Sequence, residues 1–174
     1  LDVLTKKKNV RLIELNPKHI KSGGWDIKKV YGGMLIQDKD EKNAGSKDWQ
    51  IVSKKKPTKA QMDAMVFGWQ VIRNVKSNAI ILVKGKKVVG IGCGQTSRVE
   101  SVKIAIEKAG KNAKGSLLIS DAFIPKTDNV ELAAKAGIAG IAQTGGSIED
   151  KNVIQAADKT KIAMVFTGAR HFKH

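Results

Sequence analysis

Short apolar runs alternate with helical patterns over the second half of the chain. Runs without polar alternation lie at 117–119, 138–142 and 162–166, which is typical of strands covered on both faces. Helical stretches at about 130–136 and 148–159 separate them. Because strand–helix–strand units cross over with a right hand, this order predicts an α/β fold with a mostly parallel sheet between layers of helices.

Two more helices and a hairpin are predicted upstream of these runs. Thr58 is a candidate cap of the first helix, and Ser97 is a possible cap of the second, which spans about 97–109. Apolar runs at 79–83 and 87–91 are joined by Lys-Gly-Lys, a combination that favours a hairpin. The residues predicted to form the buried helix faces are Met62, Met65, Val66 and Trp69 in the first helix and Val99, Val102, Ile106 and Ala109 in the second.

The first third of the chain is richer in loops. Residues 1–8 are typical of the last turns of a helix, so we expect the start of the chain to be an internal cut. The sequence thus divides into a loop-rich segment, 1–55, that continues a preceding subdomain, and a compact subdomain, 56–174. Short strands are predicted at 11–15, 31–37 and 49–53, with loops at 16–26 and 38–48.

Composition limits the class of protein. With 174 residues, 41% hydrophobic and 28% charged, the chain is long enough for one globular domain with a core. No apolar run approaches the about 18 residues of a membrane span. The single cysteine, Cys93, makes neither an internal disulfide nor a multi-cysteine zinc site. We therefore expect a cytoplasmic protein rather than a membrane or secreted one.

The charge of the chain favours anionic partners. There are 32 Lys and Arg against 16 Asp and Glu, a formal net charge of +16. Lysine dominates this excess, and it is a hydrated point charge that specifies little geometry in phosphate or base recognition. A solvated lysine-rich surface is the simplest interpretation, with phosphate-bearing small molecules and nucleic acid as functional alternatives. The arginines are Arg11, Arg73, Arg98 and Arg170.

Chemistry is expected where polar clusters follow the predicted strands. Ligands of parallel sheets gather at the carboxyl ends of strands, and clusters at 120–128, 143–147 and 167–174 follow three of them. The glycine-rich run 90–95 lacks the Gly-Lys-Ser/Thr end of a phosphate-binding loop and the third glycine of a dinucleotide fingerprint. The ligand set of a zinc deaminase is also missing. Spacing alone leaves open whether these clusters bind a ligand or form ordinary caps and turns.

Five motifs, taken in order, resemble one known family. They are 76–79 (KSNA), 92–98 (GCGQTSR), 120–123 (SDAF), Gln143 with 145–147 (GGS), and 170–174 (RHFKH). Together they are similar to the C-terminal part of the bifunctional purine-biosynthesis proteins, which join an AICAR transformylase to an IMP cyclohydrolase. The resemblance runs from about the first residue to the last.

This resemblance implies a fold and a reaction. The fold would be a three-layer α/β/α, cytidine-deaminase-like domain without zinc. The reaction would be formyl transfer from 10-formyltetrahydrofolate to the 5-amino group of AICAR, which yields FAICAR and tetrahydrofolate in purine biosynthesis. Because the amine lone pair is delocalised into the imidazole-carboxamide, catalysis would need positioning, proton removal from nitrogen and stabilisation of a tetrahedral oxyanion.

The resemblance also assigns roles to individual residues. Asn78 and His174 correspond to active-site residues, and the Asn78 amide would orient the substrate or the formyl group. Arg98, Phe123 and Arg170 correspond to AICAR-binding residues. The ring of Phe123 would pack on AICAR, and the guanidinium fork of Arg170 would hold the phosphate. The folate-side positions are Pro125, Asp128 and Ser147, and Asp121 corresponds to a ligand of a potassium site.

The chain departs from the family at several positions. The catalytic Lys-His pair of the KHxSPxG motif is absent, since Lys18 and His19 lie in a different context. Lys126 stands where the family often has an aromatic residue, and Thr144 replaces a proline. The resemblance therefore implies that this chain holds half of an active site and needs the preceding transformylase half. It also implies a homodimer. Two other classes stay open: an inactive nucleotide-binding or assembly domain, and a lysine-rich nucleic-acid-binding module, which 5% aromatic residues and four arginines disfavour.

Overall fold

The chain divides into two compact units, Leu1–Glu41 and Lys42–His174. This boundary lies before residue 55, where the sequence analysis placed it, because Gln50 and Ile51 pair within the sheet of the second unit. The second compact unit therefore begins before the predicted division at residue 55. The computed structural model describes residues 2–6, 9–16, 18, 24–40 and 45–174.

The first unit contains a short helix, α1 (Asp2–Thr5), and an antiparallel hairpin of β1 (Trp25–Val30) and β2 (Gly33–Asp38). The predicted strand 31–37 is wrong at its start, because Tyr31 and Gly32 form the hairpin turn and Gly32 has a φ of 78°. Its partner β1 overlaps the predicted loop 16–26. The predicted strand 11–15 is also wrong: these residues are exposed and pair with no described strand.

Six strands form the sheet of the second unit. They are β3 (Gln50–Ile51), β4 (Ile80–Lys84), β5 (Lys87–Gly92), β6 (Leu117–Ser120), β7 (Gly140–Gln143) and β8 (Ala163–Phe166). Their order across the sheet is β3-β8-β7-β6-β4-β5. The strands β6, β7 and β8 are parallel neighbours, whereas β4 is antiparallel to both β5 and β6, and β3 is antiparallel to β8. The predicted α/β fold, hairpin and mostly parallel sheet are confirmed, in a mixed sheet.

Four helices cover the sheet on both faces. They are α2 (Lys59–Ile72), α3 (Arg98–Ala109), α4 (Asp128–Lys135) and α5 (Asp150–Lys159). Successive residues of a strand point to opposite faces, so Ile81 and Val83 pack with α2, whereas Ile80 and Leu82 pack with the other three helices. The domain is therefore a three-layer α/β/α sandwich with one core on each side of the sheet. Among the described residues, no helix combines the length and apolar character that a membrane crossing requires.

The buried face of α3 differs from the prediction in its centre. Val102 and Ala109 are buried as expected, but Val99 and Ile106 are only half-buried. Ser101 and Ala105 are fully buried instead, because α3 lies directly on two glycines of β5. A Cβ atom at Gly92 would lie 1.9 Å from the Ser101 carbonyl oxygen, and one at Gly90 would lie 2.1 Å from that of Ala105. This close approach leaves no room for a side chain at either position of β5.

The two predicted helix caps differ in their hydrogen bonds. Thr58 forms a capping box, in which its Oγ1 accepts from the Gln61 backbone N–H at 3.2 Å and Gln61 Oε1 accepts from the Thr58 N–H at 2.9 Å. Ser97 occupies the corresponding position of α3 without such a bond from its side chain. We expect Thr58→Ala to lower the free energy of unfolding by about 1 kcal/mol. Urea denaturation checks this, and an equal loss in the matched variant Ser97→Ala would contradict it.

Candidate ligand-binding site

A cavity of about 430 Å³ opens at the edge of the sheet where β6 ends. Its wall comes from the segment before β4, the first turn of α3 and the loop between β6 and α4. This is where the polar cluster after a strand was expected to form a site. Five of the predicted site residues line it: Asn78, Arg98, Phe123, Pro125 and Asp128.

Arg98 is the centre of a buried hydrogen-bond network behind this cavity. Arg98 is only 7% exposed. Its Nη1 pairs with the Asp121 carboxylate and donates to Ser120 Oγ at 3.0 Å. Its Nη2 donates to Asn78 Oδ1 at 2.9 Å. The guanidinium therefore neutralises a buried carboxylate and orients the Asn78 amide. Arg98 lines the cavity, and its guanidinium also positions the Asn78 amide.

The Asn78 amide is held in one orientation. Its Oδ1 accepts from Arg98, and its Nδ2 donates to the Gln95 carbonyl oxygen at 2.8 Å. Ser101 Oγ fixes the Asn78 backbone by donating to its carbonyl oxygen at 2.7 Å. A primary amide carries two N–H donors, and the second one has no partner among the described residues. Because Asn78 lines the cavity, this second N–H donor suits a carbonyl or oxyanion oxygen bound there.

Two predicted residues lie beside the cavity and contact aromatic side chains of its wall. The Arg170 guanidinium carbon lies 5.2 Å from the centroid of the Phe123 ring, a cation–π arrangement. The rings of His174 and Phe172 are stacked, with 6.3 Å between centroids, and Phe172 lines the cavity. Arg170 and His174 are both exposed. They therefore stand beside the cavity, where a bound anion would meet a cation.

Ser147 and Asp121 are not brought into the cavity wall. Ser147 follows β7, and its Oγ accepts from the Glu149 backbone N–H at 3.1 Å, which shapes the entry to α5. Asp121 is fully buried, and its two carboxylate oxygens accept from Arg98 and from Ser77 Oγ. That carboxylate, already paired with a guanidinium, does not fit a cation site. The potassium assignment thus finds no support in this side chain, and the residues that the structure describes hold no cluster of three or more His, Cys, Asp or Glu.

Asn129 is a buried amide of the cavity wall that the sequence analysis did not single out. Asn129 is 1% exposed and lines the cavity, and its Nδ2 donates to Asp128 Oδ1 at 2.7 Å. Its Oδ1 is buried and has no hydrogen-bond partner among the described residues. A polar residue in the first turn of a helix is typical of a cap, so its position carried no distinctive signal. His19, which was compared above with the catalytic Lys-His pair, lies outside the described residues.

The three-layer fold and this polar cavity at the strand ends define an α/β protein with a cavity at the place where such folds commonly bind small molecules. The sequence pattern of the family described as AICARFT/IMPCHase bienzyme matches residues 1–108. The chain belongs to this family.

Curated relatives match the chain along its whole length. The bifunctional purine biosynthesis protein PurH of Halalkalibacterium halodurans is 51% identical over 174 residues, which are 100% of this chain and 34% of that protein. PurH of Acetivibrio thermocellus is 49% identical over 176 residues, with the same coverage. The chain spans about a third of the length of these relatives. Among solved structures, RibD of Acinetobacter baumannii overlaps 55% of this chain and 31% of its own, with a TM-score of 0.39 and 12% identity.

Proposed function

We propose that this chain is the C-terminal part of a transformylase and serves purine biosynthesis by transferring a formyl group. The donor is 10-formyltetrahydrofolate, the acceptor is the 5-amino group of AICAR, and the products are FAICAR and tetrahydrofolate. The observation that carries the proposal is the Arg98–Asn78 pair, which presents one oriented N–H donor at a cavity. The proposal includes a cytidine-deaminase-like fold, a homodimer in the cytoplasm, and a second half of the site that is supplied on a longer chain or by another subunit.

In this proposal Asn78 serves the developing oxyanion. The AICAR nitrogen attacks the formyl carbon, a C–N bond forms, and the carbonyl oxygen gains negative charge. An N–H donor already oriented by Arg98 stabilises that oxygen without reorganisation. The attacking nitrogen loses one proton to His174 or to a base from the missing half of the site. The oxyanion then returns to a carbonyl as the bond to the folate nitrogen breaks, and that nitrogen leaves with the bonding electron pair and takes up a proton, which gives tetrahydrofolate.

The two sides of the cavity suit the two substrates. Phe123 offers a ring face to the imidazole of AICAR, and Arg170, which stands over that ring, offers a cation to the phosphate. On the other side, Pro125 and Asp128 line the wall proposed for the folate. Lys126 is exposed beside them and suits the glutamate carboxylates of a folate. Ser147 would join this side if its loop contacts the bound folate.

The proposal is tested by measuring tetrahydrofolate release from 10-formyltetrahydrofolate and AICAR. The assay is run with this chain alone and with the part of the Halalkalibacterium halodurans relative that lies outside the aligned 174 residues. We expect saturable AICAR binding by the chain alone and turnover only after the addition. Binding without turnover in both assays would favour an inactive nucleotide-binding domain. Binding to random DNA with a steep salt dependence, and none to AICAR, would favour a nucleic-acid module.

Replacing the Phe123 ring tests the AICAR side of the cavity. We expect Phe123→Leu to raise the Kd for AICAR about threefold to tenfold, because it removes both the stacking face and the cation–π contact with Arg170. Isothermal titration calorimetry measures the change. The matched control is Phe67→Leu, a half-buried phenylalanine in α2 that does not line the cavity. Equal weakening by both variants would contradict the assignment.

A further inference from the structure

Gln143 is a buried amide to which no role has been assigned. It ends β7, is fully buried, and places its Nε2 3.6 Å from Met164 Sδ. Its Oε1 accepts two backbone N–H groups, from Ile124 at 3.0 Å and from Gly145 at 3.2 Å. Ile124 lies in the loop after β6, and Gly145 lies in the loop after β7. A single side-chain oxygen therefore holds two loops together.

Both loops lie next to residues that form the cavity or stand beside it. Ile124 stands between Phe123 and Pro125, which line the wall, and its own side chain is fully buried. In the other loop, a Cβ atom at Gly146 would lie 3.4 Å from Nη2 of Arg170, the residue whose guanidinium stands over the Phe123 ring. A shift of either loop therefore changes the geometry of the Phe123–Arg170 pair.

The polarity of Gln143 points to a role beyond filling space. A buried amide is tolerated where its hydrogen bonds are satisfied, and an unbranched apolar side chain of similar length would fill the same volume. What such a side chain lacks is an acceptor for the Ile124 and Gly145 N–H groups. The property that only the amide supplies is thus the link between the two loops.

We propose that Gln143 is a positioning residue. Its Oε1 holds the loop after β6, whose Phe123 forms part of the cavity wall (the Phe123 wall), and the loop after β7 in the relative position that substrate binding requires. This inference rests on the proposed function, since AICAR is the ligand that the Phe123 wall would bind. Gln143 would thus help to determine the affinity for AICAR without contacting either substrate.

Two substitutions distinguish the role of the Gln143 hydrogen-bond acceptor from the role of its side-chain volume. Gln143→Met keeps the length of the side chain and loses the acceptor, whereas Gln143→Glu keeps an acceptor oxygen in either protonation state. We expect Gln143→Met to speed amide exchange at Ile124 and Gly145 at least tenfold, as measured by NMR, and to raise the Kd for AICAR at least tenfold. In Gln143→Glu both amides should stay protected and the Kd should stay within about threefold of wild type.

A matched core variant identifies a merely structural effect. Ile141→Val removes one methylene from a fully buried residue of the same strand and leaves the Gln143 bonds intact. Unchanged exchange in Gln143→Met, unchanged affinity despite faster exchange, or an equal loss of affinity in Ile141→Val would each overturn the inference. If Gln143→Met does not fold, weak AICAR binding by a folded Gln143→Glu with protected amides also overturns it. A wild-type chain that fails to bind AICAR refutes the proposed function instead, and with it this role.

Discussion

Replacement of Arg98 by methionine should lower the free energy of unfolding by about 3–5 kcal/mol. The Arg98 and Asp121 side chains are 6% and 1% exposed, so the variant leaves a carboxylate buried without its cation. The same change removes the donor that orients the Asn78 amide. We therefore expect AICAR binding to be lost together with stability, and urea denaturation and calorimetry measure the two effects.

Two further variants separate the ion pair from the orientation of Asn78. The double variant Arg98→Met with Asp121→Asn removes both charges and should recover part of the lost stability without recovering AICAR binding. The matched control is Lys103→Met, also in α3. Lys103 pairs with Glu100 at 2.7 Å, but both side chains are half-exposed, so its loss should cost at most about 1 kcal/mol. Equal costs for Arg98→Met and Lys103→Met would contradict the account of the buried pair.

The substitution Gly92→Ala should destabilise the protein by about 3 kcal/mol. The new Cβ would lie 1.9 Å from the oxygen and 2.7 Å from the carbon of the Ser101 carbonyl. These are backbone atoms of α3, so relief of the clash requires movement of the whole helix and of Arg98 in its first turn. Thermal denaturation should show a lower Tm, and AICAR affinity should fall with it.

Gly45→Ala is the control for a glycine without such a contact. Gly45 has a φ of −62°, which alanine adopts readily, and a Cβ there would have no heavy atom within 4 Å. Its substitution should change the free energy of unfolding by less than about 0.5 kcal/mol. Comparable losses in the two alanine variants would show that the close packing of α3 on β5 is not what makes Gly92 necessary.

The sequence predicted the second unit well because its inner strands, β4, β6, β7 and β8, are buried on both faces. Continuous apolar runs mark β6, β7 and β8, and the intervening helices lie within two residues of their predicted bounds. The hairpin of the first unit was harder to predict. Every residue of its strand β1 except Val30 is exposed. Burial therefore imposes no clear alternation of apolar and charged residues along this strand, and such alternation is the pattern that predicts a half-buried strand.

For the site, the sequence identified residues but not how they are connected. Asn78, Arg98 and Phe123 were singled out by motif resemblance, and the meeting of strand ends explains why they share one cavity. The pairing of Arg98 with Asp121 and the contact of Gln143 with Ile124 join residues about twenty positions apart. Such contacts depend on how neighbouring strands are aligned, which local patterns do not encode.

The position of β3 has a consequence for the order of folding. This strand leaves the ribosome before every other strand of its sheet, yet its neighbour is β8, which leaves last. Ser53, just after β3, bonds to Met164 across 111 residues. During synthesis the β3 segment therefore stays unpaired until nearly all of the domain has emerged. Pairing of β3 with β8 closes a long loop, and this closure has a large entropic cost. We expect β3 to join the sheet late, after the inner strands have formed around their two cores.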